Sequence, residues 1–182
     1  NNSVSYTEKP DIETFMREWT ALIESKSGER GIFNREASKK QAAKYGRRDP
    51  NHEFGTNPCS EIILRPYQFC NLTEVVVRAT DTIKDLERKV KIATILGTIQ
   101  SSYTKFPYLR KVWQRNTEEE RLLGVSLTGI MDNPLMTSVN SNLEKLLNDL
   151  RTVAVAVNDE YASLLGIPQS AAITCVKPSG LS

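Results

Sequence analysis

The residues best suited to chemistry lie together in the segment Gly55-Thr56-Asn57-Pro58-Cys59-Ser60-Glu61. Pro58 disfavours the helical conformation for the residue before it, so the segment is extended or turning. Along an extended chain alternate side chains point to the same side, about 6.6 Å apart. Asn57, Cys59 and Glu61 would then present an amide, a thiol able to do nucleophilic or one-electron chemistry, and a carboxylate able to take a proton. An incidental buried cysteine in a loop is the alternative that spacing alone leaves open.

A second cysteine, Cys70, follows eleven residues after Cys59. If the chain reverses at Arg65-Pro66, the two sulfurs approach each other on neighbouring strands. A dithiol that is oxidised to a disulfide supplies two electrons. A generic thiol-redox domain that uses these two cysteines is therefore a further alternative. No metal site is expected, because the chain has one His and three Cys and contains neither a CxxC nor an HxxxH pair.

The end of the chain contains a candidate phosphate-binding loop. Residues 171–176 predict a strand that runs into Lys177-Pro178-Ser179-Gly180. A strand followed by a Gly/Ser loop can hold phosphate with backbone N–H groups. The same four residues are typical of an ordinary Pro-Gly turn, so the pattern alone leaves both readings open. Cys175, on the predicted strand, is expected to be a packed thiol.

Segments with helical periodicity separate these motifs. Helices are predicted to begin at Ile12, with Asp11 as the N-cap, at Ile83, and at Ser141, with Gly166 ending the last one. A weaker helix after Asn34 and three short strands are predicted at residues 35–45, 61–64, 72–77 and 171–176. Strands separated by long helices predict an α/β architecture that is rich in helix. The chain then divides into a cysteine-loop segment of about 55–77, a helical segment of about 81–166, and a strand with its phosphate loop at 171–182.

Composition excludes several classes of protein. The chain has 182 residues, of which 39% are hydrophobic, and a formal net charge of +2. Such a chain can bury a core, so it is not disordered, and its apolar runs are too short for a membrane span. The balanced charge predicts no nucleic-acid or membrane partner. The few cysteines and the lack of a secretory signal predict a cytoplasmic protein.

Two further groups of side chains receive structural interpretations. The basic residues of the second helical region are expected to form a solvated face; they are Arg30, Arg35, Lys39, Lys40, Lys44, Arg47 and Arg48. The aromatic residues Tyr103, Phe106, Tyr108 and Trp113 are expected to pack between helices. The chain starts with Asn1 and reaches its first Met at position 16, so it is expected to be a piece of something longer.

Motifs along nearly the whole chain resemble the ribonucleotide reductases, particularly the adenosylcobalamin-dependent, monomeric (class II) ribonucleoside-triphosphate type. These motifs are NNSV at 1–4, SKSGERGIFN at 25–34, NPCSEI at 57–62, FCNL at 69–72, GTIQS at 97–101, EEERLLGVS at 118–126 and VKPSG at 176–180. They occur in the family's order. The most specific of them is NPCxE followed by a second Cys eleven residues later.

The resemblance implies a fold and an active site. The fold is part of a ten-stranded α/β barrel with an active-site cysteine loop, so residues 1–182 would be a partial catalytic barrel domain. Cys59 would become a thiyl radical that abstracts the 3′-hydrogen of the ribose. Glu61 would take the 3′-hydroxyl proton, and Asn57 would hydrogen-bond the ribose hydroxyls. Cys70 corresponds to one member of the reducing dithiol, whose partner lies upstream of this segment.

The candidate phosphate loop also has a counterpart in the family. Pro178, Ser179 and Gly180 correspond to the loop that holds the substrate phosphates. The family usually has Thr after this Gly, whereas this chain has Leu181. Because of that difference, the resemblance leaves undecided whether the last residues of the loop complete a phosphate site.

The implied function is part of an enzyme, a thioredoxin-dependent ribonucleoside-triphosphate reductase that makes 2′-deoxyribonucleotides by thiyl-radical chemistry. The implied cofactor is adenosylcobalamin, bound mostly by regions outside this chain. The implied partners are a ribonucleotide, thioredoxin or a similar dithiol reductant, and flanking segments of the same enzyme, without which the chain is expected to be inactive. Two alternatives are a non-catalytic assembly piece of a split reductase and a fragment of a class I, diphosphate-type large subunit. The cysteine spacing and the stretches after Cys70 favour the cobalamin type.

Overall fold

The computed structural model describes residues 4–28, 30–137 and 141–179. Helices and strands alternate along these residues, so the predicted α/β class is confirmed. The elements are β1 (Val4–Tyr6), α1 (Ile12–Ser25), β2 (Ile32–Asn34), α2 (Arg35–Ala43), β3 (Gly55–Thr56), β4 (Ile63–Leu64), β5 (Asn71–Val76), α3 (Ile83–Gln100), α4 (Lys111–Glu120), β6 (Leu123–Thr128), a 3₁₀ turn (Ile130–Asp132), α5 (Pro134–Thr137) and α6 (Ser141–Leu165). The chain divides into two compact units, Asn1–Pro66 and Tyr67–Ser182.

In the first unit, α1 connects two short parallel strands, β1 and β2. Asp11 caps α1 as predicted, because its carboxylate accepts a hydrogen bond from the Thr14 N–H at 2.8 Å. Asn34 ends β2 and caps α2 in the same way, through a bond from the Ala37 N–H at 3.0 Å. Each cap satisfies a backbone donor that the helix itself leaves unpaired. These polar side chains therefore determine where both helices begin.

The second unit is built on two parallel strands, β5 and β6, which the helices α3 and α4 connect. The strands pair over six residues, from Asn71 opposite Leu123 to Val76 opposite Thr128. One face of this pair packs against α3 and α6. The buried residues of that core are Val75, Val77, Leu86, Val90, Ala93, Leu123, Val125, Met136, Leu146, Leu150, Ala154 and Ile173. Because side chains alternate along a strand, the opposite face of the pair points away from this core.

The strand predicted at residues 171–176 runs beside β6 but is much shorter than expected. It forms a single parallel bridge, between Val125 and Thr174. The Leu123 N–H bonds to the Ala172 carbonyl at 2.9 Å, whereas the Val125 N–H bonds to the Ile173 carbonyl at 2.8 Å. The two donors are two residues apart in β6, but their acceptors are only one residue apart in the segment. This mismatch interrupts the ladder as a bulge does. The prediction is right about the location of this strand and wrong about its extent.

The longest helix, α6, ends where the sequence predicts. Gly166 has a φ of 65°, in the left-handed region. Its N–H bonds to the Ser163 carbonyl at 3.2 Å, and the Ile167 N–H bonds to the Ala162 carbonyl at 3.0 Å. These two bonds form a Schellman motif, which satisfies the last carbonyls of the helix. The helix predicted from Ile83 is likewise found, as α3.

The edge of β5 that faces away from β6 carries a lysine. Lys89 of α3 donates from its Nζ to the Val76 carbonyl at 2.9 Å and also pairs with Asp81. Lysine is a residue that proteins use to protect the exposed edge of a sheet. No helix among the described residues combines the length and the hydropathy that a membrane span requires.

Candidate active site

Asn57, Cys59 and Glu61 lie at the tip of a β-hairpin in the first unit. Its strands β3 and β4 are antiparallel. Beyond them, the Asn57 N–H bonds to the Ile62 carbonyl at 3.3 Å, and the Ile62 N–H bonds back to Asn57 Oδ1 at 3.1 Å. Asn57 therefore closes the hairpin with both its backbone and its side chain. The loop between these two residues consists of Pro58, Cys59, Ser60 and Glu61.

The tip itself is a β-turn. The Ser60 N–H bonds to the Asn57 carbonyl at 3.0 Å. Pro58 occupies the second position of the turn, where its fixed φ is favourable, and Asn is a common first residue. Ser60 has a φ of 64°, which redirects the chain into β4. Of the two conformations that Pro58 allows for this segment, the structure has the turn, so the side-chain alternation of an extended strand does not apply here.

The three side chains have different surroundings. Cys59 is exposed at the third position of the turn. Asn57 uses its Oδ1 on the Ile62 N–H, so its NH₂ group is what it offers to a ligand as a donor. Glu61 is half-buried, and its Oε2 is buried without a hydrogen-bond partner among the described residues. An unsatisfied buried oxygen is costly and is well placed to accept a hydrogen bond or a proton from a bound molecule.

Two arginines donate hydrogen bonds to backbone carbonyls at the base of this hairpin. Arg48 is 7% exposed, donates from Nη1 to the Ile63 carbonyl at 2.9 Å, and places its guanidinium carbon 4.7 Å from the centre of the Phe54 ring. Arg35 Nε donates to the Phe54 carbonyl at 3.3 Å. The expectation of a solvated basic face is wrong for Arg48, because an aromatic ring and a carbonyl replace its contact with water.

The predicted phosphate loop lies at the end of β6 in the second unit. The Ser179 and Thr128 hydroxyls are hydrogen-bonded at 2.8 Å, and the Lys177 N–H bonds to Ser126 Oγ at 3.0 Å. Pro178 is exposed, and Gly180 lies outside the described residues. Sequence reasoning missed Ser126 and Thr128 as neighbours of this loop. Their signal was their spacing of two residues in a strand, which places both hydroxyls on one face.

The residue that directly follows β6, Gly129, approaches the end of β5 closely. Gly129 has a φ of 72°, and a Cβ at this position would lie 2.5 Å from the Val77 carbonyl oxygen. No side chain fits such an approach, and only glycine adopts this φ without strain. The carboxyl ends of β5 and β6 therefore stay close together beside Thr128.

Cys70 is half-buried and directly precedes β5. The residue after it, Asn71, bonds twice to the Leu122 carbonyl, from its N–H at 2.9 Å and from Nδ2 at 3.0 Å. Cys175 is half-buried, and its N–H bonds to the Val125 carbonyl at 3.1 Å. All three cysteines are described, and none of them forms a disulfide. Within residues 4–28, 30–137 and 141–179, no group of His, Cys, Asp and Glu is arranged to hold a metal ion.

An aromatic cluster holds the chain just before Cys70. The Phe69 ring centre lies 4.6 Å from that of Trp113 and 5.1 Å from that of Phe106. Phe106 and Trp113 thus pack against another ring, but that ring belongs to the loop before β5, so they do not lie between helices as expected. In contrast, Tyr103 is 73% exposed and Tyr108 is 98% exposed, so the expected packing is wrong for both tyrosines. Both lie in the loop between α3 and α4, where no helix covers them.

The motif at residues 118–126 contributes polar contacts from buried and half-buried side chains. Glu118 accepts hydrogen bonds from Gln114 Nε2 at 2.9 Å and from Thr104 Oγ1 at 2.7 Å. These bonds, the one from Gln114 first, lower the pKa of Glu118. Arg121 is 8% exposed and donates from Nη1 to the Ser101 carbonyl at 2.6 Å. The motif thus ties α4 and the start of β6 to the end of α3.

Proteins with related sequences cover most or all of the chain. The adenosylcobalamin-dependent ribonucleoside-triphosphate reductase of Lacticaseibacillus paracasei is 30% identical over 99% of this chain. A probable reductase of the same name from Dictyostelium discoideum is 31% identical over 70% of the chain. A crystal structure of a B12-dependent (class II) ribonucleotide reductase matches 70% of the chain with a TM-score of 0.58 and 25% identity. The chain is homologous to the adenosylcobalamin-dependent ribonucleotide reductases.

The resemblance stated from the motifs is thereby confirmed. This reductase homologue spans only part of the proteins it matches, namely 27% of the Lacticaseibacillus protein, 16% of the Dictyostelium protein and 21% of the chain in the crystal structure. No protein-family model matches the chain.

Proposed function

We propose that this chain is the cysteine-loop segment of a ribonucleoside-triphosphate reductase and contributes part of its active site. The proposal treats residues 1–182 as a partial catalytic domain from a ten-stranded α/β barrel. The parallel pair β5 and β6, with helices between its strands, supports this assignment. Homology over 99% of the chain supports the reaction class.

The observation that carries the proposal is the hairpin tip. It places an exposed thiol two residues from a buried carboxylate oxygen that has no hydrogen-bond partner among the described residues. In the proposed reaction the Cys59 thiyl radical removes the 3′-hydrogen atom of the ribose. Glu61 Oε2 accepts the 3′-hydroxyl proton, and the Asn57 NH₂ group donates a hydrogen bond to a ribose hydroxyl. At the end of the reaction the hydrogen atom returns to C3′, and Cys59 is again the radical.

The redox balance requires two thiols. The C2′–O bond of the ribose breaks, a C2′–H bond forms, and the oxygen leaves as water. The two electrons come from the Cys70 thiol and from a second thiol contributed by another segment, and these two sulfurs become a disulfide. A dithiol reductant of the thioredoxin type would then restore both thiols.

The loop at Pro178, Ser179 and Gly180 is proposed to hold the substrate phosphates. The hydrogen bond between the Ser179 and Thr128 hydroxyls supports this role, because it fixes the loop at the carboxyl end of β6, and α/β sheets bind ligands at the carboxyl ends of their strands.

Adenosylcobalamin would supply an organic radical when it is bound. The described residues do not offer an obvious site for it. The chain has a single histidine, His52. Its Nε2 lies 3.7 Å from Asp49 Oδ2, and its ring packs edge-on against that of Phe54. We therefore assign most of the binding of this cofactor to segments outside the chain.

The test is complementation of the whole enzyme. The chain is combined with the flanking segments of its reductase, adenosylcobalamin, a dithiol and a ribonucleoside triphosphate, and deoxyribonucleotide is measured. Cys59→Ser should abolish the product, and Glu61→Gln should lower the rate by about 10²- to 10⁴-fold, the usual contribution of acid–base catalysis. Cys175→Ser is the matched thiol control and should keep the wild-type rate.

Product formation by the Cys59→Ser complex would refute the radical role and would favour the non-catalytic assembly piece. Product formation without adenosylcobalamin would instead favour the class I alternative.

A further inference from the structure

The residues that lead to Cys70 are held by the helix α4. The Gln68 side chain is buried, and its Nε2 donates to the Asn116 carbonyl at 3.1 Å and to Glu120 Oε2 at 2.5 Å. Asn116 Nδ2 donates in turn to the Tyr67 carbonyl at 3.4 Å. Asn116 and Glu120 are buried as well. Because buried polar groups are costly to leave unpaired, these bonds hold the backbone before Cys70 in one place.

The first residue of this segment, Tyr67, is strained and is held by the start of the same helix. Tyr67 has a φ of 58°, in the left-handed region that is unfavourable for an L-residue with a Cβ. A conformation of this kind persists only where the surrounding contacts determine it. The centre of the Tyr67 ring lies 5.8 Å from that of Trp113 and 4.4 Å from the guanidinium carbon of Arg110, the N-cap of α4. Contacts with α4 therefore supply part of that constraint.

Cys70 is also fixed on its other side. Asn71 bonds twice to the carbonyl of Leu122, which lies two residues beyond the end of α4. Gln68 and Asn71, on either side of Cys70, thus bond to one stretch of chain, residues 116–122. This stretch leads directly into β6, the strand that pairs with β5. The end of α4 therefore determines where the backbone of Cys70 lies.

We propose that α4 positions the Cys70 thiol for disulfide formation, with Gln68 and Asn116 as the positioning residues. This assignment rests on the proposed role of Cys70 in the reducing dithiol. A disulfide requires a narrow range of Cα–Cα distances and dihedral angles. A cysteine whose backbone is already fixed loses little conformational entropy when the bond forms, and fixing the backbone of one residue corresponds to a factor of about ten. The held segment therefore raises the effective concentration of the Cys70 sulfur towards its partner thiol.

The first test measures the reduction potential of the Cys70 disulfide in the complemented enzyme, the chain with its flanking segments. The enzyme is equilibrated with mixtures of reduced and oxidised dithiothreitol. The protein dithiol gives two electrons and two protons to oxidised dithiothreitol, which becomes the reduced form, while the two protein sulfurs form a disulfide. Acid quenching, differential alkylation and mass spectrometry give the two populations.

The two positioning residues should both affect this potential. Gln68→Met keeps the length of the side chain but removes both donated bonds. It should weaken the disulfide about tenfold and so raise its potential by about 30 mV. Asn116→Ala removes only the long bond to the Tyr67 carbonyl and should weaken the disulfide about threefold.

Two further variants separate positioning from stability. Glu120→Gln keeps an acceptor for the Gln68 amide and should retain the wild-type potential. Asn133 is a fully buried amide that donates to the Arg78 and Asp81 carbonyls, beyond the opposite end of β5 from Cys70. Asn133→Ala should therefore lower the thermal midpoint of unfolding but leave the potential unchanged.

A second measurement needs neither the flanking segments nor the reaction. The 182-residue chain is treated with iodoacetamide, and the alkylation rates of Cys70 and Cys175, which are both half-buried, are compared in the same molecule. Release of the segment before Cys70 should expose its sulfur. Gln68→Met should therefore raise the ratio of the Cys70 rate to the Cys175 rate several-fold, whereas Asn133→Ala should leave the ratio unchanged.

These measurements also define what would overturn the assignment. If Gln68→Met and Asn116→Ala keep the wild-type potential, or if Asn133→Ala shifts it as strongly, α4 stabilises the fold without positioning Cys70. If an active complemented enzyme forms no disulfide at Cys70, the proposed reducing role of Cys70 fails and the positioning role fails with it. If the wild-type complex makes no product at all, the proposed function fails, whereas an unchanged alkylation ratio in Gln68→Met would refute the positioning by α4 on its own.

Discussion

Replacing Gly129 with alanine should destabilise the second unit by about 3 kcal/mol. The left-handed φ of 72° contributes about 1 kcal/mol for any L-residue with a Cβ. The new Cβ would lie 2.5 Å from the Val77 carbonyl oxygen, so the end of β5 must move away. Such overpacking costs about 1–3 kcal/mol, and the movement also weakens the bond of 2.8 Å from the Val77 N–H to the Thr128 carbonyl.

Gly166→Ala is the matched control for this prediction. Gly166 has a similar φ of 65°, but no atom lies within 4 Å of a Cβ built there. It should therefore cost only about 1 kcal/mol, the conformational part of the effect. Stability is measured by urea unfolding, followed through Trp113 fluorescence in a Trp19→Phe background so that the signal reports on the second unit. Equal losses in the two variants would show that the close approach to Val77 does not matter and would refute the steric argument.

Two further substitutions test polar contacts of the second unit. Asn158 is fully buried; its Nδ2 donates to the Thr98 hydroxyl at 2.9 Å and to the Ser170 hydroxyl at 3.0 Å, and its Oδ1 accepts a hydrogen bond from the Ser170 N–H at 2.9 Å. Asn158→Ala should therefore cost about 3 kcal/mol in urea unfolding, because it leaves buried polar groups unpaired, and a loss below about 1 kcal/mol would contradict this reasoning. Asp81 has a lowered pKa because its carboxylate accepts hydrogen bonds from the Lys89 side chain and a backbone N–H. The stability that Asp81 adds should be complete above the unfolded-state pKa of about 3.9 and should disappear as the pH falls through the lowered folded-state pKa. Thermal midpoints of the wild type and Asp81→Asn should differ at pH 7 and converge in strong acid; a constant difference at every pH would contradict the role of the charge.

Elements with complete local signals could be predicted from the sequence. Asp11 and Asn34 begin helices and Gly166 ends one, because each acts on backbone groups within a few residues of itself. In contrast, α4 was not predicted. Its N-cap Arg110 makes no side-chain capping bond, and the helix is largely polar, so the sequence gives no clear start and no clear apolar face.

The strand β6 was missed for a different reason. The residues LGVSLT alternate between apolar and small or polar side chains, which is a strand signal, but the run is short and follows α4 after two residues. It becomes a central strand only because β5 and the segment beyond α6 lie on its two sides. This arrangement depends on residues about fifty positions away, which periodicity within β6 does not reveal.

The candidate site likewise has features that the sequence predicts and contacts that it does not predict. The motif around Pro58 indicates a turn, and the structure has one there. The contacts of Arg48 with Phe54 and Ile63 were not predicted, although the partners are only six and fifteen residues away, because lysines and arginines in a run favour a solvated interpretation. Lys177 and Glu74 are about a hundred residues apart, so only the folded sheet brings them together.

The lysine at the outer edge of β5 has a consequence for self-association. If two copies of the chain aligned their β5 strands side by side, each would present at the join a Lys89 ammonium group that is already paired with Asp81. Each copy would also have to give up its bond from Lys89 to the Val76 carbonyl. Aggregation of identical chains through this edge is therefore disfavoured, because the Val76 carbonyl that a new strand would need as an acceptor is already occupied.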